Sequence, residues 1–148
     1  MSLQENVNEQ LKAAIKAKDT VALESLRAIK TAIMMTQTQA GAKELSPDDE
    51  IKIVQKLVKQ RKDSAAIFIQ QGRVDLAEPE EAQIKIIEQF LPEQLDEATI
   101  SEIVVGIITK TGAAGMQDMG KVMGIASKVM AGKADGKTIS SIVRQKLS

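Results

Sequence analysis

The side chains best suited to chemistry in this 148-residue chain are cations of its last third: Lys121, Lys128, Lys133, Lys137 and Arg144. From residue 110 onward there are seven Lys/Arg, at 110, 121, 128, 133, 137, 144 and 146, against two Asp, at 118 and 135. Over the first 95 residues acids slightly outnumber bases, so a net charge of zero hides an uneven distribution. Clustered ammonium and guanidinium groups suit a polyanion, above all nucleic-acid phosphate; the alternative is a basic tail that is merely solvated. On a wheel at about 100° per residue, Lys128 falls almost on Lys121, while Met119, Met123, Ala126 and Met130 gather opposite. Further on, Lys137, Ser141 and Arg144 share one face, and Ile139, Ile142, Val143 and Leu147 share the other.

Most other chemistry is excluded by what the chain lacks. It has no Cys, His, Trp or Tyr. Disulfides, thiolate nucleophiles, imidazole bases and Cys/His zinc sites therefore cannot be built, and no catalytic residue, cofactor or metal is assigned. Gly132-Lys133-Ala134-Asp135-Gly136-Lys137-Thr138 looks like a phosphate loop but is not one. Three residues separate its glycines where four are needed, and a methionine-rich helix precedes it where a buried strand is required. Gly132 reads instead as the end of one helix and Asp135 as the cap of the next. The turn still sets Lys133 and Lys137 close together beside backbone N–H groups, which suits a phosphate.

Gly120 and Gly124 lie four apart on one helix flank, and each interior glycine costs roughly 0.5–1 kcal/mol relative to alanine. Close approach of a second helix explains them, or approach of an RNA backbone. The methionines read as core filler before they read as a promiscuous groove. Arg61, Lys62 and Arg73 make a second basic set. Glu50, Glu78, Glu80 and Glu81 sit where a helix dipole favours acids, which accounts for them without Mg²⁺.

All of these side chains must be positioned by helices. With 43% hydrophobic and 27% charged residues the chain reads as a packed protein, long enough for one ordinary domain or two small ones. Leu3, Val7, Leu11, Ala14 and Ile15 recur at helical spacing over 2–17. A second stripe runs Leu23, Leu26, Ile29, Ile33, stopped at Gly41. Ser46-Pro47-Asp48-Asp49 starts a long helix closed by Gly72. A fourth runs from about Asp75 or Glu78 to Phe90, with Pro79 tolerated in its first turn. Leu91-Pro92 then breaks the pattern and marks a hinge. Asp96 caps a helix with Ile100, Ile103, Val104 and Ile107 as its core face and Gly112 as its stop, and two further helices complete the tail. The expectation is all-α: an N-terminal domain of about four helices over 1–92, then a three-helix bundle over 93–148. No signal-peptide layout opens the sequence and no apolar run reaches membrane-spanning length, so a cytoplasmic protein without a membrane partner is expected.

Five short motifs carry a family resemblance: Lys59-Gln60-Arg61-Lys62-Asp63-Ser64, Gly72-Arg73 with Asp75-Leu76, Phe90-Leu91-Pro92, Asp118-Met119-Gly120-Lys121-Val122-Met123 and Gly132-Lys133-Ala134-Asp135-Gly136-Lys137. In this order and spacing the chain resembles the YqeY-type proteins of the GatB/YqeY family over nearly its whole length. Phe90 departs from the tyrosine the family often has before Leu-Pro, so no hydroxyl acts there, and Pro79 is unusual in its helix start. GatB is the B subunit of glutamine-dependent aspartyl/glutamyl-tRNA amidotransferase, whose similar tail is a helical domain that holds the tRNA body. The resemblance thus implies tRNA binding, not DNA binding, through the five C-terminal cations. It also brings the family label of carbon–nitrogen ligase with glutamine as amide donor, although nothing in this sequence could perform that reaction alone. An aminoacyl-tRNA synthetase or an amidotransferase subunit is the expected protein partner, and a scaffold for such a partner without RNA is the alternative. Long apolar stripes leave a weak dimer open.

Overall fold

Ser2 begins the first helix by accepting from the Glu5 amide while Glu5 accepts from the Ser2 amide, so two otherwise orphaned donors are satisfied reciprocally. The computed structural model describes residues 2–39, 41 and 44–148. Among these every regular element is helical, with seven α-helices, one short 3-10 turn and no strand. The chain divides into two compact units, Met1–Leu91 and Pro92–Ser148.

The first unit holds α1 (Leu3–Ala17), α2 (Thr20–Gln39), α3 (Pro47–Gln70) and α4 (Val74–Glu88). Helix α1 ends at Lys18 in the left-handed conformation, and Asp19 then caps α2 by accepting from the Ala22 amide at 3.1 Å. Ser46 and Asp49 form a second capping box at the start of α3, with Pro47 where its missing N–H costs nothing. At 24 residues α3 is about 36 Å long. Gly72, at φ 74°, takes the left-handed turn from which α4 runs back against it. The core is a continuous cluster around Val7, Leu26, Ile29, Ile33, Val54 and Ile87, each worth roughly 1.5–3 kcal/mol when fully buried.

One detail corrects the sequence expectation. Helix α4 starts at Val74, so Pro79 lies in its interior and not in its first turn. The early start follows from Arg73, whose carbonyl accepts from both the Leu76 and the Ala77 amides. The pyrrolidine ring therefore removes the N–H that residue 79 would have donated to the Asp75 carbonyl.

The second unit holds α5 (Glu97–Thr111), a 3-10 turn (Met116–Asp118), α6 (Met119–Val129) and α7 (Gly136–Leu147). Asp96 caps α5 by accepting from the Thr99 amide at 2.8 Å, and Gly112 closes it at φ 68°. Its core is built from Ile100, Val104 and Ile107 of α5, Val122 and Ala126 of α6 and the α7 stripe Ile139, Ile142, Val143 and Leu147, with Met130 fully buried among them. No helix of the described residues is long and apolar enough to cross a membrane.

Candidate nucleic-acid interface

Burial of Val122, Ala126 and Met130 decides which way α6 faces. Met119 and Met123 flank that line, partly buried against the core, so the methionines act as filler except Met116, which is 46% exposed. Lys121 and Lys128 lie seven residues apart on the outward side, both exposed. Between them in angle lie Gly124, Gly120 and Ser127, all exposed. A Cβ added at either glycine would meet no atom within 4 Å. Helix packing therefore does not explain this pair, and the solvent face of α6 is a low strip of backbone bordered by two ammonium groups.

The connection to α7 is more tightly built than its composition suggests. Gly132 is buried at φ 76°. The Lys133 amide donates to the Met130 carbonyl at 2.9 Å, and the Lys133 carbonyl accepts from the Leu95 amide at 2.8 Å. Both backbone polar groups of Lys133 are thus held while its side chain is exposed. Asp135 caps α7 by accepting from the Thr138 amide at 2.7 Å. Lys137 and Arg144, again seven apart, are exposed on one face of α7. The five cations thus form a stripe on α6, a stripe on α7 and one pinned residue between them.

Three aspartates of this unit are occupied with backbone: Asp96 with Thr99, Asp135 with Thr138, and Asp118 with the Ala114 amide at 2.9 Å. The Thr99 hydroxyl, then its amide, hold the Asp96 carboxyl below the ordinary carboxylate range.

Arg61, Lys62 and Arg73 do not form a comparable group. Arg61 is half-buried, donating to Gln83 Oε1 at 2.9 Å and to the Leu57 carbonyl at 3.1 Å. Gln83 passes the link on to Glu24 at 3.0 Å, joining α2, α3 and α4. Lys62 lies 3.5 Å from Glu88. Arg73 grips Asp75 through two nitrogens at 3.0 and 3.1 Å, which holds the Asp75 carboxyl low and raises the guanidinium. These cations are engaged inside the first unit. Of the acids, Glu50 accepts from the Leu3 amide at 3.2 Å and so caps α1 from α3. No group of three or more His, Cys, Asp or Glu that could hold a metal ion occurs among the described residues.

Sequence reasoning missed Gln94, whose side-chain amide donates to the carbonyls of both Pro92 and Gly132. A lone glutamine after proline carries no signal of a partner 38 residues away.

Together these features define a small all-helical protein whose final three-helix unit carries exposed cations on two helices and on the turn that joins them. Residues 4–147 match the family model described as Yqey-like protein, and the chain belongs to that family. It is similar to "Altered inheritance of mitochondria protein 41, mitochondrial" of Lachancea thermotolerans, 36% identical over 98 residues, covering 66% of this chain and 52% of that protein. The protein of that name in Clavispora lusitaniae is 37% identical over 105 residues, 69% of this chain and 58% of its own. A glutamyl-tRNA(Gln) amidotransferase subunit of Thermococcus gammatolerans is 32% identical over 104 residues, 68% of this chain but 17% of that much longer protein. The chain spans about half the length of the first of these relatives. Their names overturn the cytoplasmic expectation, because these similar proteins are mitochondrial. That expectation rested on the lack of a secretory leader, which does not separate cytosol from organelle.

Proposed function

We propose that this protein is a tRNA-binding accessory module. Lys121, Lys128, Lys133, Lys137 and Arg144 meet phosphates of a folded RNA, read by shape with little base recognition. The observation that carries this reading is the contrast within residues 92–148: the five cations are exposed, while Asp96, Asp118 and Asp135 are spent on backbone N–H groups. Likeness to a protein named as a tRNA-dependent amidotransferase component supports RNA as the polyanion. Any link to amide transfer requires partner subunits, because no set of residues in this chain offers that chemistry.

Titration of folded tRNA at two salt concentrations tests the reading. Three to five phosphate contacts give a log affinity against log salt slope of roughly −2 to −4. Absence of binding at low salt, or binding untouched by Lys121→Glu and Lys133→Glu, rejects it.

A second reading, a docking scaffold for a synthetase or amidotransferase, is favoured by one observation. Ile67, Ile69, Val74 and Leu76, around the turn joining α3 to α4, are apolar and exposed. Capture of such a partner that survives nuclease and high salt supports the scaffold over the RNA reading.

A further inference from the structure

Gln94 reaches two carbonyl oxygens at once. Its Nε2 lies 2.8 Å from the Pro92 carbonyl and 2.7 Å from that of Gly132. Both partners are acceptors, so only the NH₂ end of the carboxamide fits there, and each of its two hydrogens has a target. One residue on, the Leu95 amide donates to the Lys133 carbonyl. The extended stretch opening the second unit is therefore stapled to the α6–α7 turn at two successive residues, Gly132 and Lys133. Gly132 is buried in the left-handed conformation and Ala134 is buried too, so the turn has one seating, with Lys133 pointing out of it.

We propose that Gln94 is a positioning residue for RNA binding: its carboxamide fixes the α6–α7 turn so that the Lys133 ammonium is held ready for a phosphate. This inference rests on the RNA-binding reading. A cation on a loose turn loses conformational freedom when it meets its phosphate, whereas one on a stapled turn has lost it already, so removing the staple weakens binding without touching any charge. Proximity to Pro92 adds a consequence. The residues that follow the end of the first unit are the same ones that seat the turn.

Gln94→Met removes both donors at similar volume and no change of charge. Full-length wild type, Gln94→Met, Lys133→Ala and Lys121→Ala, with the doubles Gln94→Met/Lys133→Ala and Gln94→Met/Lys121→Ala, are titrated with tRNA across a salt series. Lys133→Ala is expected to reduce the salt slope by about 1. Gln94→Met is expected to lose about threefold in affinity at low salt, since part of one phosphate contact is forfeited. It adds nothing further to Lys133→Ala but multiplies the effect of Lys121→Ala, a pattern that general weakening of the unit does not give. Exchange of the Leu95 amide hydrogen is expected to quicken in Gln94→Met, reporting the opened staple independently of RNA. Should Gln94→Met lose helical signal, Gln94→Asn keeps the carboxamide but is one methylene too short to span both carbonyls, and the same pattern applies.

Wild-type affinity in Gln94→Met, or equal effects on the Lys133→Ala and Lys121→Ala backgrounds, overturns the role of Gln94 while leaving RNA binding in place. A wild-type protein that binds no tRNA at low salt overturns the underlying reading instead.

Discussion

Asp135 offers a perturbation in which stability and affinity move in opposite directions. Its carboxylate caps α7 through the 2.7 Å bond to the Thr138 amide, and it also places a negative charge between Lys133 and Lys137 in sequence. Replacing an N-cap aspartate with alanine costs about 1 kcal/mol, while asparagine caps equally well. Helix α7 contributes Ile139, Ile142, Val143 and Leu147 to its core, so fraying of its first turn is felt by the whole 92–148 unit. In a unit of this size about 1 kcal/mol lowers Tm by roughly 4–8 °C. A unit charge about 8 Å from a phosphate in water contributes roughly 0.5 kcal/mol of repulsion, about twofold in affinity, and salt screens most of that at physiological strength. Asp135→Asn is therefore expected to keep its Tm within about a degree and bind tRNA about twofold tighter at low salt. Asp135→Ala gains the same affinity but melts several degrees lower. Thermal unfolding by circular dichroism, beside the same tRNA titration, reads both quantities. Equal Tm for the Asn and Ala variants refutes the capping argument, and unchanged or weaker low-salt binding by Asp135→Asn refutes a polyanion at this turn.

Met130→Ala, which empties a fully buried site between α6 and the turn, is expected to cost about 2–5 kcal/mol by chemical denaturation; a loss below about 1 kcal/mol denies the methionine its core role. Gly124→Ala enters open space on a helix face and is expected to stabilise by roughly 0.5–1 kcal/mol. If the same variant weakens tRNA binding, an RNA backbone approaches that strip; unchanged affinity places the RNA elsewhere. Asp96 has a depressed folded-state carboxyl pKa, so its contribution is present above the ordinary value of 3.8 and lost as pH falls through the lower folded value. Asp96→Asn, which caps without titrating, is expected to lose less stability on acidification than wild type, and parallel acid limbs for the two proteins count against that sign.

Helices were legible because their punctuation is local. Ser46-Pro47, Asp96, Gly112 and Asp135 act through hydrogen bonds within four residues of themselves, so their types and spacing predict the geometry that the fold shows. The family likewise rests on short motifs read in order, and the match over 4–147 agrees with it. Pro79 was misplaced because Arg73, with no capping side chain of its own, starts α4 from its backbone carbonyl.

By itself, the sequence determined an all-helical chain without thiol or imidazole chemistry and with its surplus of cations near the end. Only tertiary structure decided which cations are already committed. Arg61, Lys62 and Arg73 look as basic as Lys121 and Lys128, yet they are engaged by Gln83, Glu88 and Asp75. It also showed that Gly120 and Gly124 face open space and that Gln94 staples the turn bearing Lys133. The physical reason is range: caps and stripes depend on neighbours a turn away, whereas a side chain's partner across 22 or 38 residues exists only once the helices have packed.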